Sequence, residues 1–210
     1  MSFLHVPDIG ELRRIAKPAN RTVAEPSPGA LAAMDAWLRQ NGYRDDNPEV
    51  FEAIKHYGAA ELERKNRRGL FLKGDCGIGK SLGMAFLAAR FEWPVISSVE
   101  YESAYMAKSR SEFDDFIDAL NFFGYPPRAV VIDDLGAENR TTSKYGTTIN
   151  VMQYVLDRRY RIGFLRQNCR TLVACNLPDA EIRDRYGCRI DSRFDEMMEF
   201  SIVNGKSLRR

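Results

Sequence analysis

The sequence predicts an α/β protein: a five-stranded parallel sheet flanked by helices, with a short helical extension ahead of it. Three observations carry that prediction. Five short apolar runs of strand length recur along the chain: Leu70–Leu72, Pro94–Ile96, Ala129–Ile132, Thr171–Ala174 and Phe200–Val203. Stretches of helical period separate them, and strands separated by helices pair in parallel under a helical cover on both faces. The first run also passes directly into the glycine-rich segment Gly74-Asp75-Cys76-Gly77-Ile78-Gly79-Lys80-Ser81, which opens a helix.

The elements follow in order. Pro7, Pro18, Pro26 and Pro28 crowd the first 28 residues; proline fixes φ and removes a donor, so this stretch is expected to be an extended arm or linker. Leu31, Met34, Trp37 and Leu38 have helical spacing over residues 30–40. Pro48 suits the first position of a second helix, which carries Val50, Phe51, Ile54, Tyr57 and Leu62 and runs into the basic cluster Arg64-Lys65-Asn66-Arg67-Arg68. Residues 1–68 are therefore read as an arm and helical region, and 69–210 as the core. Within the core, helices are expected over Lys80–Phe91, about Ser98–Phe123, Thr148–Tyr160 and Asp179–Tyr186.

Composition narrows the class. The 210 residues are 44% hydrophobic and 29% charged, the balance of a folded soluble domain large enough to need neither disulfide nor structural metal. No apolar run has the length of a membrane span and the first eight residues do not read as a secretion signal, so a cytoplasmic protein is expected. The formal net charge of +2 excludes a protein that coats nucleic acid by charge alone and leaves only a local patch. Cys76, Cys169, Cys175 and Cys188 form no C-x-x-C pair, and His5 and His56 are the only histidines. A zinc cluster is therefore not expected, and the thiols are read as reduced and unpaired.

The segment Gly74–Ser81 matches G-x-x-x-x-G-K-[ST] throughout, a loop whose backbone N–H groups cradle phosphates at the positive end of the following helix. In that pattern Lys80 reaches the β- and γ-phosphates of ATP and the Ser81 hydroxyl holds Mg²⁺. Gly74, Asp75, Cys76, Gly77, Ile78 and Gly79 supply the cradle, with Cys76 read as a small spacer. The run Ala129–Ile132 ends on Asp133 and Asp134. A buried strand that delivers Asp133 to its C-terminal end offers the further Mg²⁺ contact, and Asp134 is placed to orient or deprotonate the attacking water; Glu138 is a second candidate for that base. Asn176 ends the run Thr171–Cys175 at the edge of a parallel sheet where ligands bind, and its amide is expected to position water beside the γ-phosphate.

This order, with Asp133-Asp134-Leu135-Gly136-Ala137-Glu138 spelled as it is, resembles the AAA+ ATPases of the DnaC helicase-loader group, to which the DnaI-type loaders and the IstB transposition ATPases are related. The likeness covers about Gly69 to Arg210. Further matches are Tyr145-Gly146, the helix Val155-Leu156-Asp157-Arg158-Arg159-Tyr160, the segment Tyr186-Gly187-Cys188-Arg189-Ile190-Asp191-Ser192-Arg193-Phe194 and the ending Gly205-Lys206-Ser207-Leu208-Arg209-Arg210. The resemblance implies an AAA+ core with a reduced or absent lid, because only 34 residues follow Asn176. It implies self-association, with Arg193 as an arginine finger inserted into a neighbouring subunit's ATP site and Arg209 as a second sensor of nucleotide. It also implies a replicative hexameric helicase as partner, contacted by the part of the chain ahead of the core, and no membrane.

By the same resemblance the segment from Ser97 to Arg128 helps to grip single-stranded DNA. Tyr101, Lys108 and Arg110 are the residues expected to do so, since aromatic faces beside cations suit base stacking and phosphate contact. The expected function is thus an ATP-dependent helicase loader in DNA replication. The alternatives are an IstB-like transposition helper on duplex DNA, a small P-loop kinase, and an adaptor that uses nucleotide only as a clamp.

Overall fold

The computed structural model describes residues 25–44, 46–120, 124, 127–165, 169–205 and 207–208. The proline-rich arm before Glu25 and the proposed sensor Arg209 lie outside the described residues. Two helices come first, α1 (Pro28–Gln40) and α2 (Pro48–Leu62). Each starts on a proline preceded by a polar cap, where the missing N–H costs nothing. Ser27 Oγ accepts from the Ala30 N–H at 3.2 Å, and Asn47 Oδ1 accepts from Glu49 N at 3.2 Å and Val50 N at 3.4 Å.

The core then alternates, beginning with β1 (Gly69–Lys73), α3 (Lys80–Phe91), β2 (Val95–Ser97), α4 (Ser98–Ala107), α5 (Arg110–Ile117) and β3 (Ala129–Leu135). A small antiparallel hairpin of β4 (Thr142–Lys144) and β5 (Thr147–Ile149) follows. The chain continues through α6 (Val151–Leu165), β6 (Arg170–Cys175), α7 (Asp179–Met197) and β7 (Met198–Ile202). The single helix expected over 98–123 is two helices. Ser97 with Glu100 and Ser109 with Glu112 each form a reciprocal capping box, so the backbone breaks at Lys108–Ser109 and starts again. The helix expected to end at Tyr186 instead resumes beyond Gly187, whose φ of 81° and ψ of 158° kink it, and continues to Met197.

The five strands are parallel in the order β2-β3-β6-β1-β7, so β6 lies between the strand that feeds the glycine loop and the strand that ends in carboxylates. Strand alternation builds two cores. Phe71, Val130, Ile132 and Val173 face one way and pack with α4, α5, α6 and α7; Leu70, Leu72, Ala129, Val131, Leu172 and Ala174 face the other and pack with α1, α2 and α3. The first two helices thereby complete one cover of the sheet. Among the described residues no helix follows β7, and none is long and apolar enough to cross a membrane.

Charged cross-ties brace the helical layers. Arg159, fully buried, donates to Thr171 Oγ1 at 3.0 Å and to the Arg170 carbonyl at 2.8 Å, pinning α6 to the start of β6. Glu61 near the end of α2 accepts from Arg170 Nη2 at 2.6 Å, and both side chains are buried.

Candidate functional site

Because all five strands run the same way, their C-terminal ends share one edge, and there the loop Gly74–Ser81, the pair Asp133-Asp134 and Asn176 meet. The Gly74 N–H donates to the Cys175 carbonyl at 3.2 Å, which ties the loop to the end of β6. A Cβ at Gly74 would stand 2.1 Å from the Val203 carbonyl oxygen, so no side chain fits. Gly79, at φ +96°, turns the chain into α3 with no side-chain cap, leaving the first-turn N–H groups of that helix free to face an anion.

Lys80 curls back over the loop. Its Nζ donates to the Gly74 carbonyl at 2.8 Å and to the Asp75 carbonyl at 2.6 Å. Burial lowers the Lys80 pKa, and the nearby Cys76, Cys175, Asp134 and Asp75 oppose that shift. A cation held against carbonyls rather than a carboxylate is poised to move to stronger acceptors.

The carboxylate strand carries a bulge. Ile132 pairs with Val173 and Leu135 with Cys175, three steps on β3 against two on β6, so an extra residue is accommodated at Asp133-Asp134. Asp134 sits at φ +48°, a left-handed conformation that a non-glycine residue adopts at a cost, and Ser98 Oγ holds its carbonyl at 2.6 Å. Asp133 is paired in register with Ser97 of β2, and the nearby Ser81 favours its charged form. Its Oδ1 is buried without a hydrogen-bond partner among the described residues.

An acceptor oxygen without a donor, next to a serine hydroxyl, fits a hydrated Mg²⁺, which takes one or two carboxylate or hydroxyl ligands and completes its shell with water and phosphate oxygens. Among the described residues no cluster of three His, Cys, Asp or Glu side chains could hold a metal by itself, so a cation here would depend on those other oxygens.

Burial raises the Asp133 pKa, and Asp134 adds to that, while Ser81 opposes it. A carboxylate whose folded pKa exceeds its unfolded value keeps its proton longer in the native state, so its contribution to stability falls as pH rises between the two values. Asp133→Asn is therefore expected to lose Mg²⁺-dependent turnover while melting a few degrees higher at neutral pH, about 2–4 °C for each kcal/mol gained. Its melting temperature should also lack that fall with rising pH. Paired thermal melts and magnesium titrations check this.

The other expected site residues divide. Asn176 reaches the loop, its Nδ2 donating to Cys76 Sγ at 2.7 Å. Glu138 does not face the loop as a free base. Its carboxylate is buried and already accepts from Gly136 N at 3.0 Å, Tyr186 Oη at 2.7 Å and Arg185 Nη2 at 3.4 Å. It braces the β3 exit against α7, and Asp134, exposed at the same strand end, is left as the base candidate.

Arg193 is likewise turned inward. It is buried, ion-paired with Asp157 and set over the Tyr160 ring at 4.3 Å, so within the single subunit its guanidinium is engaged. Although burial raises the Asp157 pKa, the hydrogen bond and charge of Arg193 leave it lowered overall. Arg189, one turn earlier on α7, is exposed.

Two contributors were missed by sequence reasoning. The carboxamide Nδ2 of Asn47 donates to the Ile78 carbonyl in the loop and to the Asn204 carbonyl after β7, each at 3.2 Å. The Leu208 N–H donates to the Gly77 carbonyl at 2.8 Å, laying the C-terminal segment on the loop. The hydrogen bonds of Asn47 to the loop and to Asn204 join residues up to 157 positions apart, beyond the reach of a local pattern.

The expected nucleic-acid face also changes. Tyr101 is fully buried with its ring against Phe116, so no base can stack on it; the helix turns that face to the sheet. Arg110 is exposed and Lys108 partly so. The aromatic ring presented beside them is Tyr145, 95% exposed at the tip of the β4–β5 hairpin. Lys144 links the two, donating to the Lys108 carbonyl at 2.6 Å with its ammonium 5.5 Å from the Tyr145 ring centre. The signal for that turn was Tyr145-Gly146, both at positive φ.

No protein-family model matches the chain, and no curated protein matches its sequence. Solved structures do match. A candidate primosome component from Streptococcus pyogenes serotype M3 aligns with a TM-score of 0.54 at 19% identity, over 87% of this chain and 100% of that one. The DnaC helicase loader aligns at 0.47 and 14%, over 95% and 93% of the two chains, and the Pif1 helicase from Candida albicans at 0.44 and 13%, over 75% and 39%. At such identities the likeness is one of fold. With its glycine loop, its paired carboxylates and β6 set between the strands that carry them, the chain has an α/β P-loop fold like that of the primosome component.

Proposed function

We propose that this chain is an ATPase of the helicase-loader kind, which binds ATP with Mg²⁺, self-associates, holds single-stranded DNA and helps to place a replicative hexameric helicase on it. The observation that carries the reading is the convergence of Lys80, Ser81, Asp133, Asp134 and Asn176 on one sheet edge around an uncapped helix N-terminus.

In this mechanism the N–H groups of Gly74–Ser81 and the start of α3 seat the phosphates, and Lys80 exchanges its carbonyl partners for β- and γ-oxygens. Ser81 and Asp133 would hold Mg²⁺, which neutralises charge on those phosphates when bound. Asn176 orients the attacking water, and Asp134 accepts its proton. Asn47 and the Leu208 N–H keep the loop in register with α2 and the C-terminal segment. The arginine that stabilises the γ-phosphate comes from a neighbouring subunit. Arg193 serves only once its Asp157 pair opens, which would make the isolated subunit a slow enzyme; Arg209 senses nucleotide. Lys108, Arg110 and Tyr145 form the DNA-facing group, and the residues before Gly69 meet the helicase.

The test is ATP hydrolysis per subunit against protein concentration, with single-stranded or duplex DNA, for wild type and the Arg193→Ala and Arg189→Ala variants. A rate that climbs with concentration and with single strands, and falls about 10²- to 10³-fold in Arg193→Ala, supports the reading. Stimulation by duplex alone turns it toward a transposition helper. A flat rate, or phosphate transferred to an acceptor instead of water, overturns it.

A further inference from the structure

We infer that the sheet carries a second phosphate-binding pocket, at the end opposite the glycine loop, and that it takes the phosphodiester backbone of nucleic acid; the nucleic-acid part rests on the DNA-binding function proposed above. The strands β1, β3 and β6 begin at Gly69, Ala129 and Arg170, and being parallel they bring Arg68, Arg128 and Arg170 to one edge. The turn after α2 adds Arg64, at φ 56°. A cavity of about 480 Å³ opens there, lined by Arg64, Asn66, Arg128 and Arg170, with no carboxylate among the described residues of its wall.

The charges in this pocket are only partly answered. Glu61, buried behind it, accepts from Arg170 Nη2 at 2.6 Å and lies 3.7 Å from Arg128 Nη2. Arg170 Nη1 donates to the Asn66 carbonyl at 2.6 Å, but Arg170 Nε, on a side chain 8% exposed, is buried with no acceptor. Arg64 is exposed and pairs with no carboxylate among the described residues. Among the described residues three guanidinium groups thus stand against one carboxylate. Planar N–H forks of this kind match phosphate oxygens two at a time.

The spread of the cations favours a polymer over a single small anion. The cations continue along the rim, where Arg67 and Arg170 line a smaller neighbouring cavity of about 110 Å³ with Tyr160 and Glu196 in its wall. The pocket is also separate from the nucleotide site. The five residues of β1 at about 3.3 Å each put the glycine loop roughly 16 Å away, at the other end of the strand. A run of arginines along one edge suits a phosphate backbone.

The experiment measures binding of a fluorescein-labelled oligothymidylate to the full chain without nucleotide, across a salt series, for wild type, Arg64→Ala/Arg128→Ala and Lys108→Ala/Arg110→Ala. The first double variant removes exposed guanidinium groups outside the ATP site. It is expected to weaken binding about ten-fold at low salt and to flatten the slope of log K against log salt by about 1.4, or about 0.7 for each phosphate no longer neutralised. Unchanged affinity and slope there, with a loss in Lys108→Ala/Arg110→Ala, overturns the pocket and leaves the DNA reading standing. Wild type that binds no oligonucleotide overturns both. Inorganic tripolyphosphate that binds in an Arg64- and Arg128-dependent way while the oligonucleotide does not overturns the nucleic-acid assignment in favour of a small anion.

Discussion

Lys80→Ala is expected to abolish ATP binding at micromolar nucleotide and to lower turnover by about 10²- to 10³-fold, the usual consequence of removing a preorganised charge from a transferring phosphoryl group. The ammonium belongs to the loop that would seat the phosphates, and its present partners are the Gly74 and Asp75 carbonyls. Burial already disfavours the charged form, as the lowered pKa records. Removing the ammonium therefore relieves a desolvated charge as it gives up two hydrogen bonds, and the melting temperature should move by no more than a few degrees. Equilibrium binding of a fluorescent ATP analogue, phosphate release and a thermal melt on the same preparation separate these effects. ATP bound by the variant as tightly as by wild type would remove the loop from the nucleotide site.

Glu61→Ala has the largest expected effect on stability. The Glu61–Arg170 pair is buried, joins α2 to β6 across 109 positions of sequence and also steadies Arg128. Removing one member of a buried pair leaves the other charge desolvated and unanswered, which costs about 3–5 kcal/mol. That is a large part of the 5–15 kcal/mol typical of a domain. At about 2–4 °C per kcal/mol for a chain of this size, the melting temperature should fall by roughly 6–20 °C. Glu61→Ala/Arg170→Met removes both charges and should recover much of the loss, because a well-packed apolar replacement of a buried pair is often neutral. A single variant that melts within about 2 °C of wild type would show the pair to be dispensable.

What the sequence resolves by itself is local, because periodicity, caps and glycine requirements act over a few residues. Pro48 at the start of α2, the bounds of α3 at Lys80 and Phe91, the five strand positions and their parallel pairing were legible from apolar spacing and turn chemistry. So was the loop Gly74–Ser81, since its residue types and its place between strand and helix are stated in one short stretch. The split between α4 and α5 was also written locally, in Ser97-x-x-Glu100 and Ser109-x-x-Glu112, which the single helix expected over 98–123 passed over.

Only the tertiary structure decided which way side chains face and what they meet. Tyr101 and Tyr145 are alike as sequence, yet one is covered when α4 lies on the sheet and the other stands at a hairpin tip. Glu138 and Arg193 are occupied by Tyr186, Arg185 and Asp157, partners on other elements. Asn47 draws together the start of α2, the glycine loop and the chain after β7. The physical reason is the same in each case: burial and hydrogen bonding are settled when elements dock, between residues tens to more than a hundred positions apart, and a local pattern carries no information about that docking.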